Sequence, residues 1–268
     1  MAQLPSAILI PTRERFLKTP LSPILTSELI QILTQYSIDR RKFLAHRRDE
    51  ETIDTLLVSY INAHCANLAH RDAAYREALA GFHVVYADGQ SVVWASRMLG
   101  LATPERVNAG DFILDFCREC AGKDVRLFLI GCKDGLADKA AEAWHKAVPE
   151  LKIAGTAPGY FSERDETAIV EKINASGADI VIAGMSAPRQ ELWALRNAER
   201  LDVAAVWCVG ALFEYFSGQR SRAPVWMRKT GLEWLFRLCL EPGRLWKRYL
   251  IGNMAFVLRF LRERFLRG

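Results

Sequence analysis

The chain has 268 residues, half of them apolar and a quarter charged, which suits one large α/β domain and falls short of two ordinary domains with a linker. With 17 Gly, 10 Pro and no repeat of fixed period, the disordered, collagen-like and low-complexity classes are excluded. The net charge of +5 hides a division: from Gln219 onward twelve Lys and Arg stand against three Glu, so this tail carries +9 and the rest of the chain −4.

At the amino terminus, MAQLPSAILIPTRER has no basic segment before its short apolar run, so no signal peptide is expected and the chain is assigned to the cytoplasm. Residues 1–51 form an amino-terminal extension in which 27–36 has a helical pattern and RRKFLAHRRDEE is a charged, solvated passage. This extension either adds a peripheral strand and helix or covers a sheet edge, and it carries no evident chemistry. The longest uncharged stretch, 55–70, contains Asn62, His64, Asn67 and His70, so no simple membrane-spanning helix is expected.

Residues 52–218 alternate short β-rich runs with helical patterns, the signature of a Rossmann-like parallel sheet with flanking helices. Strands are expected at 56–60, 83–87, 125–130, 151–156, 180–183 and 204–209, and helices at 65–79, 91–99, 111–121, 135–147, 164–175 and 189–200. In such a sheet ligands gather where strands end and helices begin, because the free N–H groups of helix N-termini point there. Asn62, Asp88, Gly131, Gln190, Gly210 and Glu214 all fall at such positions.

Asp88, between HVVYA and GQSVVW, is a carboxylate able to take a proton from an attacking hydroxyl, or alternatively the N-cap of the next helix. Asn62 can hydrogen-bond a sugar hydroxyl or cap a helix. Gln190, in AGMSAPRQELW, follows a proline at a helix start whose free N–H groups suit a phosphate. Glu214 can take the two hydroxyls of a ribose or stand as an ordinary loop carboxylate. Arg220, Arg222, Arg237, Arg244 and Lys247 follow it, and if folded back over the sheet they neutralise a diphosphate.

Other chemistries find less support. Cys117 and Cys120 make a lone CxxC inside a helical segment, and the remaining cysteines lie in apolar runs, which points to neither a disulfide framework nor a zinc site. The five histidines lack ligand spacing, and no Asp-x-Asp occurs to hold a metal against a nucleotide diphosphate. No metal or other cofactor is expected, with arginine supplying the positive charge.

The tail, 219–268, has apolar and aromatic residues at helical spacings from Gly243 onward with basic residues between them, the pattern of a basic amphipathic helix lying on an anionic membrane. Near such a surface each Lys or Arg contributes about 1 kcal/mol. A terminal helix docked on the core is the alternative, and the aromatic content favours the membrane. Nucleic acid is not expected as a partner.

Taken in order, INAH, YADGQSVVW, PERVNAGDF, FLIGCKDG, PGYF, GMSAPRQELW, VGALFEYFSGQRSRAPVWM, GLEWLFRL and EPGRLWKRY resemble the WecG/TagA/CpsF glycosyltransferases, family 26, which make bacterial surface polysaccharides. The resemblance spans roughly residues 52–249. It implies a Rossmann-like core that transfers a sugar, with inversion, from a UDP-sugar to a saccharide on a polyprenyl diphosphate at the inner face of the plasma membrane. The donor is of N-acetylmannosamine, uronic acid or glucose type. It further implies that Asp88 is the base, that Asn62 and Gln190 line the reacting sugars and that Glu214 binds the ribose. Arg237, Arg244 and Lys247 close over the diphosphate, and no metal is needed. Three departures stand out: Tyr60 where the family has Thr, which would crowd the sugar; Ser186 where Gly is common; and Glu214 for Asp. Two other classes compete, a nucleotide-binding oxidoreductase, against which FLIGCKDG lacks the GxGxxG fingerprint, and a non-catalytic membrane adaptor, which would need only the tail.

Overall fold

The computed structural model describes residues 10–46 and 53–267. The first nine residues, on which part of the signal-peptide reading rests, and the RRDEE end of the charged passage lie outside the described residues.

A short antiparallel hairpin, β1 (Glu14–Phe16) and β2 (Thr19–Leu21), opens the fold and leads into helix α1 (Thr26–His46). Six parallel strands follow: β3 (Leu56–Ile61), β4 (Val84–Ala87), β5 (Arg126–Gly131), β6 (Lys152–Ala157), β7 (Ile180–Gly184) and β8 (Ala205–Cys208). Their order in the sheet is β4-β3-β8-β7-β5-β6. β3, β4, β7 and β8 are buried at every residue, which is why they read as continuous apolar runs: helices cover both faces of a parallel sheet. All six expected strands form within one or two residues of their expected ends, the usual uncertainty of element boundaries.

The extension does both things left open for it. Beyond the end of β2, the Ser22 N–H donates to the Val85 carbonyl at 2.7 Å, and the Ser22 hydroxyl accepts from the Val85 N–H at 3.1 Å. The hairpin thereby blunts the exposed edge at β4, an edge that would otherwise offer unpaired backbone groups. Helix α1 is longer than expected and runs through much of the charged passage; its Leu29, Leu33 and Tyr36 are buried in the core.

The single helix expected over 65–79 is two, α2 (Ala63–Arg71) and α3 (Ala73–Ala80). Asp72 separates them in an extended conformation and accepts the Tyr75 N–H at 3.0 Å, so its short carboxylate favours a new cap over continued helix. Around the sheet lie α4 (Gln90–Met98), α5 (Ala109–Gly122), α6 (Leu136–Ala147), α7 (Glu163–Ser176) and α8 (Arg189–Asn197). Cys117 and Cys120 are buried on α5, with burial pushing the Cys117 thiol up to about 12, which suits packing and not redox exchange.

The tail is not one helix. After α9 (Leu212–Phe216), which still belongs to the core segment, it comprises α10 (Val225–Lys229), α11 (Glu233–Leu240), α12 (Pro242–Trp246), a π-helical turn at Lys247–Ile251 and α13 (Gly252–Arg267). One stripe of α13 is docked: Phe256 and Phe260 are buried, and Asn67 on α2 donates to the Gly252 carbonyl at 2.6 Å. The other stripe exposes Met254, Leu258, Leu261 and Phe265. The two readings of the tail therefore describe opposite faces of one helix. Among the described residues no helix is long and apolar enough to cross a membrane.

Candidate active site

All six strands point their C-terminal ends at one side of the sheet, and a cleft of about 690 Å³ opens there, roofed by α11, α12 and the π turn. Asp88, the residue after β4, lies in its wall. The Asp88 N–H donates to the Ile61 carbonyl at 2.9 Å, which ties it to the neighbouring strand. Gly89, not Asp88, occupies the N-cap position of α4, so the carboxylate is free for other work. Asn108 donates its amide to Asp88 Oδ1 at 2.5 Å, and Asn108 Oδ1 accepts from Arg222 of the tail at 3.2 Å. Since an arginine can only donate, this contact fixes which end of the Asn108 amide faces the carboxylate. Burial pushes the Asp88 carboxyl up to about 6, against the pull of Arg106 and of the Asn108 hydrogen bond.

Asn62 ends β3 and does cap a helix: its Oδ1 accepts the N–H groups of His64 and Cys65 at 3.0 and 3.1 Å. It also lines the cleft, where its amide nitrogen is not needed by the cap. His64 sits beside it; burial, with Arg248 close by, pushes its imidazole down to about 4, so the ring is neutral at physiological pH.

Tyr60 is buried on β3, and its hydroxyl stands 2.4 Å from where a Cβ on residue 210 would be. Gly210, at φ +65, is thus required twice, by its backbone conformation and by the ring beside it. Gly131 has a different reason: a Cβ there would meet the Gly184 carbonyl oxygen at 2.4 Å, so this glycine lets the ends of β5 and β7 approach.

Gln190 departs from the expectation that it lines a sugar. It is fully buried at the start of α8; its amide donates to Glu191 Oε1 at 2.8 Å and its oxygen accepts the Gly210 N–H at 3.0 Å. Glu191, also fully buried, takes the Ser59 hydroxyl at 2.9 Å, and burial raises its pKa. Both ends of Gln190 are occupied beneath the cleft floor, where it holds the loop after β8. Glu214, at the start of α9, does line the cleft, in an ion pair with Arg220 at 2.6 Å.

Of the three expected tail cations, Arg237 and Arg244 line the cleft and Lys247 does not. The lining residues Arg237, Glu241, Arg244 and Arg248 recur at steps of three and four, one face of a helical path. Lys247 is a residue off that face and packs its ammonium 5.5 Å from the Trp246 ring. Arg248 takes the inward place that the resemblance implied for Lys247. Asn108 and Arg106 also escaped the sequence reading: Asn108 resembles a helix cap, yet its side chain makes no cap hydrogen bond. Among the described residues no three His, Cys, Asp or Glu side chains group where a metal could be held.

An ionic network joins the tail to the core. Asp111 on α5 pairs with Arg106, with Arg222 at 2.9 Å and with Arg228, while Glu233 pairs with Arg237 at 3.1 Å and lies 3.8 Å from Arg106. Four guanidinium groups share two carboxylates, which leaves a positive surplus beside Asp88.

A parallel sheet whose strands end at one arginine-roofed cleft, with a carboxylate of raised pKa in its wall, is an arrangement suited to an anionic ligand and to proton transfer. The sequence defines the class: residues 34–268 match the Glycosyl transferase WecG/TagA/CpsF family, and the chain belongs to that family of glycosyltransferases. It is similar to the N-acetylglucosaminyldiphosphoundecaprenol N-acetyl-beta-D-mannosaminyltransferase of Bacillus subtilis (strain 168), with 32% identity over 77% of this chain and 79% of that one. The enzyme of the same name from Staphylococcus aureus (strain NCTC 8325 / PS 47) is 28% identical over 79% of this chain and 80% of its own.

Proposed function

We propose that the protein transfers a sugar of N-acetylmannosamine type from a UDP-sugar to an N-acetylglucosamine linked through diphosphate to a polyprenol, with inversion at the anomeric carbon. The acceptor hydroxyl attacks that carbon while Asp88 takes its proton; the new C–O bond forms as the bond to the diphosphate breaks, and UDP leaves from the opposite face. A carboxylate with a pKa of about 6 cannot ionise a sugar hydroxyl beforehand, so proton transfer accompanies bond formation. Asn108 keeps the accepting oxygen oriented.

Charge develops on the leaving diphosphate, and Arg237, Arg244 and Arg248 stabilise it in a cleft poor in water, the electrostatic contribution that is usually the largest. These arginines carry the charge compensation without a metal. Glu214 binds the ribose, and the exposed ring of Tyr160 at the cleft rim offers a face to the uracil. The exposed apolar stripe of α13, with the basic residues around it, holds the enzyme on the cytoplasmic face of an anionic membrane, where polyprenyl acceptors reside.

The observation that supports this reading most is the meeting of a half-buried carboxylate, an orienting amide and tail arginines at one strand end. Replacing Asp88 with Asn keeps the shape and removes the proton acceptor. Transfer from UDP-N-acetylmannosamine to a short-chain acceptor should fall by about a thousandfold, with UDP affinity within a few-fold of the parent. Parental turnover in Asp88→Asn removes Asp88 as the base.

A further inference from the structure

On the far side of Asp88 lies a second hollow of about 420 Å³, between α4, α11 and α13. Its character is opposite to that of the cleft. Trp94, Met98, Trp234, Phe256, Val257 and Phe260 lie in its wall, and Trp94 and Met98 leave 55% and 59% of their surface open to solvent. Large aromatic and thioether side chains exposed together mark a surface awaiting an apolar partner. The inner end of the groove is basic, with Arg106, Arg228, Arg237 and Arg248 around Asp88.

The two hollows share a wall. Asp88, Asn62, His64, Asn108, Arg237 and Arg248 border both. Two substrates entering from opposite sides would meet at Asp88, one with its phosphates toward Arg244 in the cleft and the other toward Arg106 and Arg228 in the groove, with Arg237 and Arg248 between them. The polar cleft suits a nucleotide; the groove, apolar along its length and cationic at its inner end, suits an anionic head on a branched hydrocarbon chain. The same α13 that forms one side of the groove exposes its other stripe to solvent, so the groove opens beside the surface assigned to the membrane.

We infer that the groove between α4, α11 and α13 binds the diphosphate and first isoprene units of the lipid acceptor. This assignment rests on the proposed function, because it seats that reaction's second substrate. Its chemistry is a match of parts: guanidinium groups pair with diphosphate oxygens in bidentate fashion, and each isoprene unit buries apolar area against Trp94, Met98 and Val257, strengthening binding by a factor that compounds with length.

The test uses the full chain in detergent-free buffer with no vesicles, and acceptors kept below their micelle concentration, so that membrane partition cannot contribute. N-acetylglucosaminyl diphosphate esters bearing an ethyl group or a farnesyl group are compared in the parent and in the double variant Trp94→Ala, Met98→Ala. Both positions are exposed, and a thermal melt checks that the variant folds. In the parent, KM for the farnesyl ester should lie at least about tenfold below that for the ethyl ester. In the double variant that ratio should shrink several-fold, while KM for the UDP-sugar stays put. An undiminished ratio in a folded double variant overturns the groove and leaves the transfer reaction standing. Failure of the parent to transfer to either ester strikes the proposed function itself, and the groove's occupant falls with it.

Discussion

Asp88 and Arg248 border the same cleft, but they are held there by different means. Asp88 stands at the end of a strand whose neighbours are hydrogen-bonded in register, Tyr60 to Tyr86 and Ile61 to Ala87, and whose every residue is buried. Arg248 stands in a π turn between the short α12 and the longer α13 with no buried residue of its own, held by the docking of α13 and by ion pairs around Asp111 and Glu233. Such partly exposed pairs contribute about 0–1 kcal/mol each and are weakened by salt. Under the proposed function, the proton acceptor is therefore built on the sheet, while charge compensation falls to a part held by weaker contacts. An enzyme whose second substrate lies in a membrane gains from that division, since the roof can move without disturbing the base.

The two walls can be probed separately. Loss of Asp88 is the largest effect expected, the thousandfold fall given above. Next comes pH. With Asp88 raised to about 6, the protonated form accumulates as pH falls through that value and cannot accept a proton, so kcat/KM should drop toward tenfold per unit below it. The Asn108 hydrogen bond lowers this pKa; in Asn108→Ala the falling limb should move to higher pH, which a pH–rate profile reads directly. An unmoved limb would mean that another group titrates there.

The smallest effect concerns the rigid wall alone. Ser186 has φ +62, the left-handed region where a side chain is strained and glycine is not. Ser186→Gly should raise stability by about 1 kcal/mol, measured by denaturant unfolding, and should leave the tail wall untouched. Lowered stability would show that the Ser186 hydroxyl contributes more than the strain costs.

The same contrast governs how much could be read from the sequence. Strand ends and the glycines beside them were legible because buried parallel strands are continuous apolar runs, and the polar residue that stops each run marks the cleft. Asp88, Asn62 and Glu214 are found that way. Asp72 was missed as a helix breaker because the apolar spacing continues across it, and the three-residue strands β1 and β2 are too short to show a period. Asn108 precedes a helix and stands at no strand end, so that signal does not reach it. The resemblance implies that Gln190 lines a sugar, yet the Gly210 N–H and Glu191 hold both ends of its amide in the buried interior. In the tail, periodicity reveals an amphipathic pattern but not where it breaks, and the steps of three and four that run from Arg237 put Arg248, not its neighbour Lys247, on the inward face.

That last distinction supplies the most direct test of the claim that the tail closes over Asp88 through one face of its helices. Single-turnover transfer is measured for Arg248→Ala and Lys247→Ala at saturating substrates. Loss of a charge stabiliser in the cleft should cost about a hundredfold, so the rate in Arg248→Ala should fall by that order while Lys247→Ala stays within about twofold of the parent. A large loss in Lys247→Ala with Arg248→Ala near parental would contradict the account.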